Sequence, residues 1–430
     1  MLRRALESIV SISLVAAAPV LAVADVQVTT CGASVPMNTT GFLGADLDCS
    51  ASPGIGVSLG SGAALELRGF SLIGNPGATN ADGVVCDGGC TVLGPGTIRD
   101  FSGNGVVSPG HLTITGATIQ NIAGQGVRSV SATAAGVSIS GTGTAMYSPP
   151  NDELTTSIIH VSDSTITNNG SGVTAAVVRV VNSTISNNAS TAVSNTRVTI
   201  IGSHIDGNGQ GVDAELISVQ SSSVDFNGGG LHAYGYHPRI KVSDSTVSDN
   251  AAAGIYAWDS WSPEFRDVGS VTVSNSEVSR NGGAGIFTAS ASIRDGCDVS
   301  DNASTGVIAQ KVAVQDSKIT GNAGFGIAAN GDQGTFHYYS GKCHVRASTI
   351  TGNAIGGIVS ADGGGIRLDH GPIVADSTVI GNDVDPDCGV TIICPDFYTV
   401  QKPRLNGTTC ETSYDPQTDT DWDVCSLDPM

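Results

Sequence analysis

Between Val161 and Ile358 apolar residues alternate with Ser, Thr or Asp over short stretches, each broken by Gly, Asn or Asp. The alternation recurs as "VSDSTITNNGSGV", "VVNSTISNNASTAV", "IIGSHIDGNGQGV", "VSDSTVSDNAAAGI", "VQDSKITGNAGFGI" and "VRASTITGNAIGGI". An asparagine marks each unit, at 169, 188, 208, 227, 250, 281, 302, 322, 353 and 382. Successive intervals are 19, 20, 19, 23, 31, 21, 20, 31 and 29 residues. A period of two predicts short strands, and a repeat of this length predicts a solenoid. A single coil cannot bury its Val and Ile alone, so neighbours must stack in register at about 4.8 Å. The recurrent Asn is expected in tight turns, where it tolerates the left-handed region, and in side-chain amide ladders along the stack. The Leu pattern of a horseshoe and the three-residue glycine period of collagen are both missing. The predicted fold class is therefore all-β, a right-handed parallel β-helix.

"STITNNGSGV", "SKITGNAGFGI" and "STITGNAIGGI" resemble repeats of secreted β-helix proteins of the pectin-lyase-like superfamily. The opening "TTCG…LDCS…VSLGSGAALELRGFSLIG…VVCDGGCTVLGPGTI" is similar to the first coils of such proteins, so the resemblance covers roughly residues 28–384. It implies the fold. It does not imply one activity, because the superfamily contains lyases, hydrolases, epimerases, tailspikes and adhesins.

The ends read differently from the repeat. Arg3 and Arg4, an apolar run to Leu21 and Ala22-Val23-Ala24 read as an export signal over 1–24. The β-helix with its amino-terminal cap is then expected over 25–384, and a Pro-, Asp- and Cys-rich tail or cap over 385–430. Terminal caps suppress edge-to-edge strand pairing. All ten cysteines follow the signal, so disulfides are expected, and the location is secreted or extracytoplasmic. The local pairs expected are Cys31–Cys49, Cys86–Cys90, Cys388–Cys394 and Cys410–Cys425; Cys297 with Cys343 is the remaining pair, on coils two apart.

The formal charge of −20 argues against nucleic acid and anionic membranes as partners, and the mature chain carries no segment of spanning length. It leaves room for an acidic polysaccharide, since local basic groups or a bound cation can reverse the field in a cleft. The long intervals bring this into focus. They mark inserts "YGYHPR" (234–239), "YAWDSWSPEFRDVGS" (256–270), "NGDQGTFHYYSGK" (330–342) and "SADGGGIRLDHGP" (360–372), with an earlier one over 140–157. Each follows a "GI"-type strand and precedes the next "V-x-V" strand, so the inserts should project from one side. They hold half of the 20 aromatics, including Tyr147, Phe265 and Phe336. Inserts on a rigid scaffold are where binding residues collect. The stretches at 256–270 and 330–342 lie three coils apart, about 14 Å, with Lys311 on the floor between them.

Sugar rings stack on aromatic faces, and acidic sugars need cations. Tyr236, Trp258, Trp261 and Tyr339 suit the first task, and Arg266 and Arg367 the second, with Arg239 also eligible. A lyase or epimerase needs a base for the C5 proton, for which His237, His337, Tyr338, Lys311 and His370 are eligible. Each has a bland alternative as a structural hydrogen-bonding group. Asp206 and Asp225 fall on equivalent outward positions of adjacent coils, as a hydrolase pair or as solvated strand-face aspartates. "RIK" (239–241) echoes a polygalacturonase tripeptide without that family's companion motifs. The Asp-Pro-His motif of alginate epimerases and any acidic calcium cluster of pectate lyases are absent from the sequence. Thr-x-Thr positions raise ice binding, but His204, Asp206, Glu277 and Lys318 interrupt the array.

The functional expectation is an exported β-helix that acts on or binds a polysaccharide, acidic or neutral, through the insert face. A lyase, an epimerase and a hydrolase are all compatible. The alternative is a non-catalytic envelope or adhesive solenoid using the same inserts. No cofactor is required by the sequence, and Ca2+ is compatible with either reading.

Overall fold

The computed structural model describes residues 25–149, 157–258, 269–329, 342–360, 373–380, 382, 397–399, 403–411, 413–414 and 425. The described residues form short parallel strands wound into a three-sided coil. One side, the valine sheet, includes Ile158–Ser162, Val177–Val181, Arg239–Ser243, Ser270–Ser274 and Lys342–Arg346. The threonine sheet includes Thr165–Thr167, Thr184–Ser186, His204–Asp206 and Ser223–Asp225. The glycine sheet includes Ser171–Thr174, Leu231–Ala233, Ile255–Ala257 and Phe325–Ala329. Each residue pairs with its equivalent one coil on, as in Val178↔Val198 and Ile166↔Ile185. Alternation then puts Val180, Ile185 and Val193 fully inside, while their neighbours face out.

The asparagines that set the repeat are buried; Asn281 is only 1% exposed. Each donates its backbone N–H and its Nδ2 to Oδ1 of the next, without a gap from Asn169 to Asn382. The Nδ2 groups also donate to backbone oxygens of neighbouring strands, Asn281 to Val247 for example. This corrects one expectation. The left-handed residue of that turn is the one before the ladder Asn: Asn168, Asn187, Phe226, Asp249, Arg280 and Asp301 all have positive φ. The ladder Asn is selected for amide geometry and not for tolerance of positive φ.

A second ladder stands at the turn between the valine and threonine sheets. Ser183 N donates to Ser203 Oγ, Ser203 N to Ser222 Oγ, and so on to Ser276, while each hydroxyl donates to the carbonyl two residues back. Cys297 occupies this column between Ser276 and Ser317, and its Sγ donates to the Arg294 carbonyl at 3.0 Å. Cys343 replaces a core valine, pairing with Val312 in the valine sheet. Both thiols are free and buried, so the Cys297–Cys343 pairing is not formed. Two coils separate them, roughly 10 Å along the stack, too far for a disulfide. Burial raises both thiol pKa values, that of Cys343 to about 12.

Disulfides Cys31–Cys49, Cys86–Cys90 and Cys410–Cys425 staple the two ends. Cys388 and Cys394, like the signal region, lie outside the described residues. Parallel pairing continues past the last recognisable repeat. Phe397–Thr399 pairs with Gly356–Ser360, Arg404–Asn406 with Ile373–Ala375, and Ser413–Tyr414 with Phe397–Thr399.

The ladder predicts where substitution hurts. Asn281→Ala removes a residue that serves both neighbouring coils and strands the buried N–H and Nδ2 groups of Asn250, so we expect a loss of about 3 kcal/mol. Thr272→Ala, on an outward position, should change stability by less than about 0.5 kcal/mol. Denaturant midpoints of the two variants check the contrast. Cys297→Ser should be neutral or slightly stabilising, because serine is the residue this column uses; a clear fall in its thermal midpoint would show that the thiol does not belong to the ladder.

Candidate functional site

All the inserts leave the same corner, between the glycine and valine sheets. Residues 234–238 separate Leu231–Ala233 from Arg239–Ser243, and residues 258–269 separate Ile255–Ala257 from Ser270–Ser274. Further on, Phe325–Ala329 and Lys342–Arg346, then Gly356–Ser360 and Ile373–Ala375, flank the same break in sequence, and the earliest insert begins only at Ser148. Where no insert occurs, one strand turns the corner unbroken, as in Ile286–Arg294 and Val307–Gln315.

The candidate residues divide accordingly. Trp261, Arg266, His337, Tyr338, Tyr339, Arg367 and His370 lie outside the described residues. Tyr236 is 75% exposed and His237 is exposed in the short 234–238 loop. Lys311 is exposed at the unbroken corner, as the floor position requires. His237 adjoins the coil of Arg239, and the register Arg239↔Ser270↔Ser290↔Lys311 puts Lys311 three coils away. These two eligible proton-transfer groups are therefore not neighbours. Trp258 is half-buried and tilts against Phe287, with ring centroids 5.3 Å apart. Asp206 and Asp225 are paired across adjacent coils. Burial pushes the Asp225 carboxyl up, while its Oδ1 accepts hydrogen bonds from Ser248 N at 3.1 Å and Ser248 Oγ at 2.8 Å.

Register creates two surfaces that the linear sequence conceals. On the valine sheet from His111 onward, the described strands carry Arg179, Arg197, Arg239, Lys241, Arg294, Lys311, Lys342, Arg346 and Arg404. These nine are all exposed, His111, His160 and His344 stand among them, and the valine-sheet segments of these strands contain no Asp or Glu. Nine of 19 basic residues thus occupy one face of a chain whose charge is −20. Among the described residues, Arg179, Arg197, Arg239, Lys241, Lys311, Lys342 and Arg346 form no ion pair. Lys311 and Lys342 pair directly at strand spacing, where like charges repel. Only Arg239 and Lys311 drew notice in the sequence, because the other seven stand alone in it.

The glycine sheet has the opposite character. Its outward columns run Asp213–His232–Tyr256–Phe287 and, two residues on, Glu215–Tyr234–Trp258. His232 Nδ1 lies 3.0 Å from Asp213 Oδ1. Tyr256 stacks on Phe287 at 5.1 Å with planes 8° apart and tilts against His232 at 5.1 Å. Burial raises the pKa of Tyr256, and burial with the Asp213 and Glu215 charges raises that of Tyr234, so both phenols stay protonated donors. His232 was missed because it lies in a strand and not in an insert. Among the described residues no His, Cys, Asp and Glu cluster could hold a metal ion.

A stacked coil of parallel strands, with one charged sheet beside a corner of inserts, defines a parallel β-helix protein. Residues 100–268 and 264–401 match the model of the right-handed β-helix region, and the chain belongs to that family. Among solved structures it is similar to the A-module of Azotobacter vinelandii mannuronan C-5 epimerase AlgE4. That match has 15% identity and a TM-score of 0.36, covering 84% of this chain and 89% of the other. The periplasmic alginate epimerase AlgG matches at 10% identity and a TM-score of 0.31, covering 87% and 77%. A tailspike protein of an E. coli bacteriophage, solved with a pentasaccharide, matches at 13% identity and a TM-score of 0.26, covering 87% and 72%. No curated protein matches the sequence.

The raised pKa of Asp225 carries a sign. Its stabilising contribution is complete below the ordinary carboxylate range and is lost as pH rises through the folded-state value. Asp225→Asn keeps an acceptor for Ser248 and should raise the thermal midpoint near neutral pH. At about pH 3, where both forms are neutral, the variant should match the wild type. Midpoints measured across that range check the prediction.

Proposed function

We propose that this protein binds an acidic polysaccharide lengthwise along the valine sheet, between the inserts at the glycine–valine corner, in an extracytoplasmic compartment. One observation carries the reading: seven exposed cations without an ion pair, on a sheet whose described strand segments hold no carboxylate, in an otherwise acidic protein. A polyuronate carries a carboxylate on every residue, and the valine sheet offers it cations on most of the coils from Val177–Val181 to Lys342–Arg346. Acidic surroundings also discourage short or weakly charged anions, leaving a multivalent ligand to fill the face through many weak contacts. Terminal disulfides support the oxidising location. Turnover of the bound chain would draw on His237, Lys311 and the candidates outside the described residues.

Gel retardation by polymannuronate, polygalacturonate and neutral dextran tests the reading. We expect retardation by a polyuronate to weaken steeply with salt and to exceed any retardation by dextran, which should not depend on salt. Lys311→Glu with Lys342→Glu, on adjacent coils, should weaken it at least about tenfold with an unchanged thermal midpoint. Retardation that ignores both charge reversal and salt would sink the proposal. Unsaturated ends, changed uronate stereochemistry or new reducing ends would separate a lyase, an epimerase and a hydrolase. Intact polymer would indicate binding alone.

A further inference from the structure

The glycine sheet holds a second site, on the other side of the insert corner from the cationic face. A pocket of about 300 Å3 opens beside the His232–Tyr256 column, lined also by Gln210, Gly229, Gly230, Leu231, Ala252 and Ala253. Its size falls at the lower end of the range for small-ligand sites. Two features of the sequence make it. The turns following Asn227 and Asn250, like that following Asn281, carry only Gly and Ala, "GGG" and "AAAG" in the first two, where the remaining coils place Ser, Gln, Thr, Phe or Ile. At Gly230 even a Cβ would come within 2.1 Å of the Gly254 carbonyl oxygen, so the lining is backbone at van der Waals limits. The polar groups facing this space are of one kind. His232 is held by Asp213 through Nδ1, which leaves its Nε2 for a ligand. The Tyr256 hydroxyl stays protonated, and the Gln210 side chain lies along Gly229. The His232 and Asp213 side chains remain 38% and 32% exposed, so the dyad is not a sealed structural bond.

We propose that this pocket binds one residue of a neutral glycan, a terminal or branching pyranose. Hydroxyl groups on a sugar need donors and acceptors that switch roles, and an imidazole, a phenol and a primary amide supply them. Phe287 and the tilted His232 cover the two faces of Tyr256, so the apolar C–H groups of the ring meet its outer edge beside the phenol hydroxyl. No Lys or Arg lines the pocket, and Asp213 and Glu215 stand nearby, so an acidic sugar is repelled from this side of the corner. The two faces thus select opposite sugar chemistries, and this site stands or falls independently of the cationic face.

Isothermal titration of the full chain with cellohexaose, maltohexaose, xylohexaose, mannohexaose and hexameric glucosamine tests the inference. We expect at least one neutral hexaose to bind, at both low and high salt. His232→Ala should weaken that binding about tenfold, the size of one hydrogen bond removed. Ala253→Leu fills the pocket without removing a polar group, and it should weaken binding comparably with an unchanged thermal midpoint. Lys311→Glu should leave it unaltered. The inference is overturned if no neutral hexaose binds or if binding survives Ala253→Leu. Binding of glucosamine alone, lost at high salt, would also overturn it, identifying a cation site instead.

Discussion

A buried primary amide is tolerable only where every donor and acceptor it carries is met, and in this protein the partner always comes from the coil above or below. Asn281 receives two bonds from Asn250 and gives two to Asn302. No rung of that column is satisfied alone. Left unmet, each polar group would cost about 1–3 kcal/mol. The ladder therefore enforces one register: slippage by a single residue would break every amide bond in the column and turn the Val and Ile core outward. The serine ladder imposes the same condition at a second corner, and Cys297 is accepted there because a thiol can still donate to a carbonyl.

Fixed register turns a repeat into a set of columns, and the columns carry the chemistry. Arg179, Arg197 and Lys342 are unremarkable one by one, separated by many residues and each standing among uncharged neighbours. Pairing lines them up on a face without a carboxylate. Asp213, His232, Tyr256 and Phe287 come from successive coils with sequence gaps of 19, 24 and 31 residues, yet form a continuous outward stack.

The fold was legible because its signal is periodic. Recurrent Asn, the alternating triplets and the inserts at "GI" boundaries could be read from composition and spacing alone. What the sequence obscured was the role of individual positions. Asn169 and its equivalents read as turn residues because Asn favours positive φ, but the residue before each takes that conformation. The terminal coils escaped notice because Phe397–Thr399 and Arg404–Asn406 pair without the Asn signature. Attention to inserts singled out Tyr236, His237 and Trp258 as candidates and passed over His232, which sits in a strand whose neighbours across the sheet are invisible along the chain.

The placement of the inserts has a physical cause. A coil has three corners, and two are locked by buried side chains whose hydrogen bonds demand a turn of fixed length: Ser at one, Asn at the other. An extra residue at either would pull a hydroxyl or amide off its column. The third corner has no such ladder among the described residues, and strands such as Gln210–Gln220 simply bend through it. Insertions there cost a loop-closure entropy that grows only slowly with length, and they disturb no buried polar group. Variation is thus channelled to one edge, and the sheets that meet at that edge are the basic valine sheet and the acidic, aromatic glycine sheet. The ladders that stabilise the coil also decide where on its circumference a binding site can grow.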